Sequence, residues 1–144
     1  MLFRSAQSFA KRLMKNADLA IIHKEREIPN QVARMKLVGD VKGKIALIID
    51  DMADTCGTLA RASSLLTESG AKEVYAAATH GLFSGEAKDV LDASSITKIF
   101  VTNTVSPPGP LSEKVHVVSV GDIFADAINR IVSGESLSAL FEVE

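Results

Sequence analysis

Cysteine occurs once in this 144-residue chain, at Cys56. No disulfide can form within it, and a reducing, cytoplasmic setting is the expectation. Long apolar runs are absent too. The longest, over residues 45–49, has the length of a strand and falls far short of the roughly 18 residues of a spanning helix, which argues against a helical membrane protein. Charge of one sign is also lacking: 16 Lys+Arg against 18 Asp+Glu leave −2, whereas a general nucleic-acid binder needs a basic face to neutralise phosphates. Neither internal repeats nor low-complexity tracts interrupt the chain. With 47% hydrophobic and 24% charged residues, what is present is an ordinary globular composition. The length suits one domain, residues 1–144, with a core of its own.

Acidic residues are missing before Asp18, while Arg4, Lys11, Arg12 and Lys15 are present. The spacing of Phe3, Ala6, Phe9, Ala10, Leu13 and Met14 predicts an amphipathic helix over residues 3–15 that covers one face of a sheet, in preference to an organellar transit peptide. The runs Leu19-Ala20-Ile21-Ile22-His23 and Ile45-Ala46-Leu47-Ile48-Ile49 predict strands buried on both faces. Residues 58–69 put Leu59, Ala62, Leu65 and Leu66 on one helical face and stop at Gly70. Further strands are predicted over residues 74–79, 99–102 and 115–120. Ser84 suits the cap of a helix reaching residue 92, with Ala87, Val90 and Leu91 inward. A last helix, over residues 122–133, is expected to bury Ile123, Phe124, Ala127, Ile128, Ile131 and Val132 before Gly134. Strands alternating with helices in this way predict an α/β fold with a mainly parallel, twisted sheet flanked by helices. Two stretches break the rhythm. Residues 24–43 read as a long charged loop, and residues 103–114, with Pro107-Pro108-Gly109-Pro110, read as a rigid connector.

The strongest chemical signal is Ile48-Ile49-Asp50-Asp51-Met52-Ala53-Asp54-Thr55-Cys56-Gly57-Thr58, an apolar strand that runs into two carboxylates and then into a Thr/Gly turn opening a helix. Ligands of open α/β sheets bind outside the carboxyl ends of strands, where this segment falls. Backbone N–H groups from Thr55 to Thr58, with the hydroxyls of Thr55 and Thr58, can surround a phosphate at the helix N-terminus, where unpaired donors and the helix dipole favour an anion. Gly57 permits close backbone approach. Asp50 and Asp51 suit a different partner: they can accept hydrogen bonds from sugar hydroxyls or hold a hard cation such as Mg²⁺. A diol beside a phosphate is a ribose phosphate. Cys56 sits inside this loop with no adjacent base, so its small size is what counts there. His80 at a strand end and His116 on a strand read as structural residues.

This block resembles the phosphoribosyl-diphosphate (PRPP) binding loop of type I phosphoribosyltransferase folds. The form Asp-Asp-Met-Ala-Asp-Thr-Cys-Gly-Thr is narrower, and is similar to the ribose-phosphate diphosphokinase family. Ile22-His23-Lys24-Glu25-Arg26, Leu37-Val38-Gly39-Asp40-Val41, Ala78-Thr79-His80-Gly81-Leu82-Phe83-Ser84-Gly85, Val101-Thr102-Asn103-Thr104 and Gly134-Glu135-Ser136 with Leu140-Phe141 resemble the same family, in its order.

The resemblance implies Mg²⁺-dependent transfer of diphosphate from ATP to the anomeric hydroxyl of ribose 5-phosphate, giving PRPP and AMP. It implies ribose 5-phosphate binding by Asp50, Asp51, Asp54, Thr55, Cys56, Gly57 and Thr58, and a catalytic cationic pair, Lys24 and Arg26, at the start of a flexible loop. On an extended segment that pair points to one face and Glu25 to the other. Ser136, Ser138 and Phe141 resemble a segment that contributes to the family's allosteric site, and a homo-oligomer, dimer or hexamer, is implied for the complete enzyme. The family's Gly-rich diphosphate loop does not precede residues 3–15. The chain is therefore expected to correspond to the C-terminal half of a longer enzyme and to lack part of the ATP site. A phosphoribosyltransferase and a catalytically silent regulatory relative remain alternatives.

Overall fold

The computed structural model describes residues 17–25 and 34–141, together with Ala10 in helical conformation. The helix expected over residues 3–15 otherwise lies outside the described residues. Among the described residues, six strands and three α-helices follow in order: β1 (Ile21–Glu25), β2 (Arg34–Val38), β3 (Ile45–Ala53), α1 (Gly57–Glu68), β4 (Glu73–Gly81), α2 (Ala87–Ala93), β5 (Lys98–Thr102), β6 (Val115–Val118) and α3 (Gly121–Ser133), then a 3₁₀ turn at Ser138–Leu140. Strands β3, β4, β5 and β6 form one sheet in that order, and all three pairings are parallel.

The parallel sheet follows from its connections. Helix α1 returns the chain from β3 to β4, and α2 returns it from β4 to β5, each a crossover that a parallel neighbour requires. The two helices bury their apolar stripes on one face of the sheet. Leu59 of α1 and Ala87 and Leu91 of α2 pack with Ala76, Ala78, Ile99 and Val101 in a single cluster. Leu66, two turns further along α1, joins Val41 and Val74 in a second cluster. The inward face of α1 is Leu59, Ala62, Ser63 and Leu66, with Leu65 only half-buried. Ser63 is tolerated there because its hydroxyl donates to the Ala60 carbonyl at 2.8 Å, satisfying a buried polar group within its own helix. Helix α1 ends as expected, with Gly70 in left-handed conformation (φ 90°) and its N–H bonded to Thr67 O.

Several expectations need correction. Residues 24–43 are not one loop: β2 lies within them and pairs antiparallel with β1, from Ile21 opposite Val38 to Glu25 opposite Arg34. Residues 19–23 do not form a doubly buried strand either, since β1 belongs to this hairpin and Leu19 and Ile21 are exposed. Strand β3 is likewise buried on one side only. Ala46 and Ile48 pack on the face that α1 covers, while Ile45 and Leu47 stay exposed. Helix α2 starts at Ala87 rather than after a Ser84 cap, because Gly85 turns left-handed (φ 60°) before it. The largest departure is α3. None of its residues is buried, and Ile131 and Val132 keep 64% and 83% of their surface exposed. An amphipathic sequence specifies a helix with one apolar face; it does not specify that the described part of the chain covers that face.

Candidate functional site

The carboxyl ends of β3, β4 and β5 carry the candidate site. Asp50 stands opposite Ala78, Met52 opposite His80, and Ala53 opposite Gly81, while His80 stands opposite Thr102. Strand β3 continues through both carboxylates to Ala53 instead of ending at Ile49, so Asp50 and Asp51 are held by sheet pairing rather than by a free turn. Asp54, Thr55 and Cys56 then lead straight into α1 at Gly57. One strand–turn–helix unit thus brings together all seven residues expected to bind the sugar phosphate.

Within that turn, exposure separates the roles. Asp54, Thr55 and Thr58 are exposed, and Cys56 is buried. Cys56 is the residue before the helix and adopts a left-handed backbone, φ 61° and ψ −1°, with no side-chain cap on α1 and no acid in the first turn. A non-glycine residue at positive φ is strained and persists only where its surroundings hold it. Here the buried thiol anchors the turn in the core cluster with Ala53 and Leu59, its Sγ 3.7 Å from the Asp54 carbonyl. Burial, and next the Asp54 carboxylate, push this thiol up to about 11, so it is protonated at neutral pH and is no nucleophile. The exposed turn leaves first-turn N–H groups and two threonine hydroxyls free of a side-chain cap, the chemistry an oxyanion requires.

Asp50 is the more enclosed of the two carboxylates, Asp51 being exposed. The N–H of Asp51 donates to Asp50 Oδ1 at 2.8 Å. Burial nevertheless raises the Asp50 pKa above its ordinary value, with the neighbouring Asp51 carboxyl adding to the rise. Among the described residues, no group of three or more His, Cys, Asp or Glu side chains is placed to hold a metal ion. Two adjacent carboxylates suit Mg²⁺, which is commonly held by one or two carboxylates with the rest of its shell from water and substrate oxygens; they do not make a cage for a resident metal of the zinc type.

Arg61 escaped the sequence reading. Its Nε donates to Gly57 O at 3.2 Å, bringing a guanidinium back to the first turn of α1. The signal was available in the spacing, since Arg61 is four residues after Gly57 and helical side chains lean toward the N-terminus. His80 has a structural partner, its Nδ1 lying 2.7 Å from the Thr104 hydroxyl, and His116 stacks on Phe100 with centroids 5.5 Å apart. Of the expected cationic pair, Lys24 stands in β1 opposite Met35 and Arg26 lies outside the described residues. Ser136, Ser138 and Phe141 follow α3. Ser136 Oγ accepts from Ser138 N–H at 3.1 Å, a local turn separate from the β3–α1 unit.

Residues 20–142 match the family model described as the phosphoribosyl synthetase-associated domain. The chain belongs to that family. It is 46% identical over 142 residues to ribose-phosphate pyrophosphokinase 2 of Schizosaccharomyces pombe, an alignment that covers 97% of this chain and 44% of the relative. It is 50% identical over 137 residues to ribose-phosphate pyrophosphokinase 2 of Saccharomyces cerevisiae, covering 92% and 43%. Among solved structures it is similar to phosphoribosylpyrophosphate synthetase from Mycobacterium smegmatis, with a TM-score of 0.77, 38% identity, and coverage of 91% of this chain and 42% of that one. The chain thus spans less than half the length of these relatives, which are named for diphosphate transfer. No helix among the described residues is long and apolar enough to cross a membrane.

Proposed function

We propose that this chain forms the ribose 5-phosphate-binding part of a ribose-phosphate diphosphokinase, which transfers diphosphate from ATP to ribose 5-phosphate to give PRPP and AMP. One observation carries the reading: paired carboxylates on the end of β3 run directly into an exposed Thr-bearing turn at the uncapped N-terminus of α1. That order matches the order of groups on the ligand. The 5-phosphate sits on the N–H groups of residues 55–58 and on the hydroxyls of Thr55 and Thr58, with the Arg61 guanidinium adding positive charge at the same helix end. Asp50 and Asp51 accept hydrogen bonds from the ribose hydroxyls and so orient the ring.

In the reaction, the C1 hydroxyl oxygen bonds to the β-phosphorus of ATP as the bond from that phosphorus to the AMP oxygen breaks. The hydroxyl proton is lost, and AMP leaves with the electron pair. Protein groups serve such a transfer by positioning and by stabilising charge. Lys24 and Arg26 supply cations to the migrating diphosphate, and residues 50–58 hold the acceptor still. Asp50 and Asp51 would hold a Mg²⁺ ion, which would supply neutralisation of phosphate charge.

The test is calorimetric. With Mg²⁺ present, the unmodified chain is expected to bind ribose 5-phosphate, and the combined Asp50→Asn and Asp51→Asn substitutions to abolish binding; unchanged affinity overturns the assignment. AMP release from ribose 5-phosphate and ATP is expected only when this chain is mixed with the remaining part of a full-length relative. Release by this chain alone contradicts the expectation that part of the ATP site is missing.

A further inference from the structure

Two non-glycine residues in the described structure have positive φ, Cys56 at 61° and Phe83 at 49°, and both belong to the same buried cluster with Ala53. They mark the two turns that leave the carboxyl ends of β3 and β4. The turns are joined through one atom. Ala53 O, the last carbonyl of β3, accepts hydrogen bonds from Leu82 N–H at 2.9 Å and from Phe83 N–H at 3.1 Å. Gly81 explains how the second turn holds its shape. A Cβ at this position would lie 2.5 Å from Phe83 Cε2 and 3.0 Å from Val101 Cγ2, so the Phe83 ring folds back over a gap that only glycine leaves open. Phe83 is buried at 8% exposure, which leaves the ring little room to move aside in a close-packed interior.

We infer that Gly81 and Phe83 are positioning residues for the sugar-phosphate turn: the ring seated over Gly81 fixes the left-handed turn that grips Ala53 O, and that grip sets where residues 54–58 present their donors. The inference rests on the proposed ligand and extends it to residues that do not touch that ligand. The physical basis is the strain at Cys56. A residue at positive φ keeps that conformation only when its neighbours over-determine it, and Ala53, three residues before it, is the point at which β4 and its turn take hold. Gly81 and Phe83 act as one device because each is shaped to the other. Their substitutions should therefore be strongly non-additive.

The experiment uses the whole chain and two independent readouts, ribose 5-phosphate affinity by calorimetry and amide hydrogen exchange over residues 54–58 without ligand. Gly81→Ala pushes the ring from its seat and is expected to weaken binding about tenfold, as displacement of a positioned group does, and to speed exchange in residues 54–58. Phe83→Leu, which removes the ring, is expected to weaken binding about threefold, and the Gly81→Ala/Phe83→Leu double variant to recover to within about twofold of the unmodified chain because the added methyl then fills vacated space. A merely structural role predicts lower thermal stability with an unchanged Kd and no recovery in the double variant. That result overturns the inference, as does unchanged exchange at residues 54–58 in Gly81→Ala. Should Gly81→Ala not fold, Phe83→Leu alone carries the test: unchanged Kd and exchange overturn the inference. Absence of binding by the unmodified chain overturns the proposed ligand instead, and exchange still decides whether the two turns are coupled.

Discussion

At the scale of single residues, Asp50 is in tension with its surroundings. Burial raises its pKa, so the folded chain holds this proton more tightly than the unfolded chain does. The carboxyl therefore favours folding below its ordinary value near 3.8, and that contribution is lost as pH rises through the raised folded-state value. Asp50→Asn is expected to raise the thermal midpoint at pH 7, to leave it unchanged near pH 3, and to lose ribose 5-phosphate binding at pH 7. Scanning calorimetry at the two pH values checks this, and an Asn variant destabilised at pH 7 contradicts it. Cys56 offers a second test. A rise from 9.0 to about 11 leaves roughly a hundredfold less thiolate at pH 8. Iodoacetamide should therefore modify the folded chain roughly that much more slowly than the urea-unfolded chain, as followed by mass spectrometry. Both residues were legible as members of one strand–turn–helix unit because that unit is contiguous in sequence. The left-handed backbone of Phe83 was not, because nothing in an aromatic residue announces positive φ; the gap at Gly81 that seats its ring and the Ala53 carbonyl it bonds lie on two different strands.

Among elements, α2 shows how a short helix is secured. It spans seven residues, too few to be stable alone. Lys114, just before β6, sends its ammonium to its C-terminal end and donates to Leu91 O, Asp92 O and Ser94 O at 2.8, 3.1 and 2.8 Å. A cation on three terminal carbonyls satisfies acceptors that have no helical partner and complements the helix dipole. Lys114→Met is expected to lower stability by about 1–2 kcal/mol in urea unfolding while leaving ribose 5-phosphate affinity unchanged, since the turn at Gly81 and Phe83 lies at the other end of α2. Most elements were readable from periodicity. Strand β2 was hidden because Arg34-Met35-Lys36-Leu37-Val38 sits in a charged stretch, although the half-buried Met35 and Leu37 alternate with the exposed Lys36 and Val38, which is the period of a strand. The Lys114 clamp had no comparable signal, because it joins positions about twenty residues apart.

For the molecule as a whole, the decisive contrast is between its two kinds of surface. The β3–β6 sheet is packed by α1 and α2 on one face, whereas Leu47 and Phe100 on the sheet, and Ile128 and Ile131 on α3, are exposed. Such a surface binds apolar probes. The Ile131→Gln/Val132→Gln double variant is expected to reduce anilinonaphthalene sulfonate fluorescence and to shift unfolding by no more than about 0.5 kcal/mol, the usual range for exposed positions; a larger loss of stability contradicts the exposure of this face. The sequence made the α/β class legible, and with it the strand–turn–helix unit of the expected sugar-phosphate loop, because both are written in local patterns. It could not tell which apolar faces the described chain would cover, since an apolar stripe has the same spacing whether or not a partner lies against it. The strand order has a consequence of another kind. Each strand from β3 to β6 pairs with the one that follows it in sequence, so on a translating ribosome the sheet can be laid down from one side, every strand finding its template already made. The turn from Asp54 to Thr58 is then locked once β4 and the residues just after it emerge, well before α3 has been synthesised.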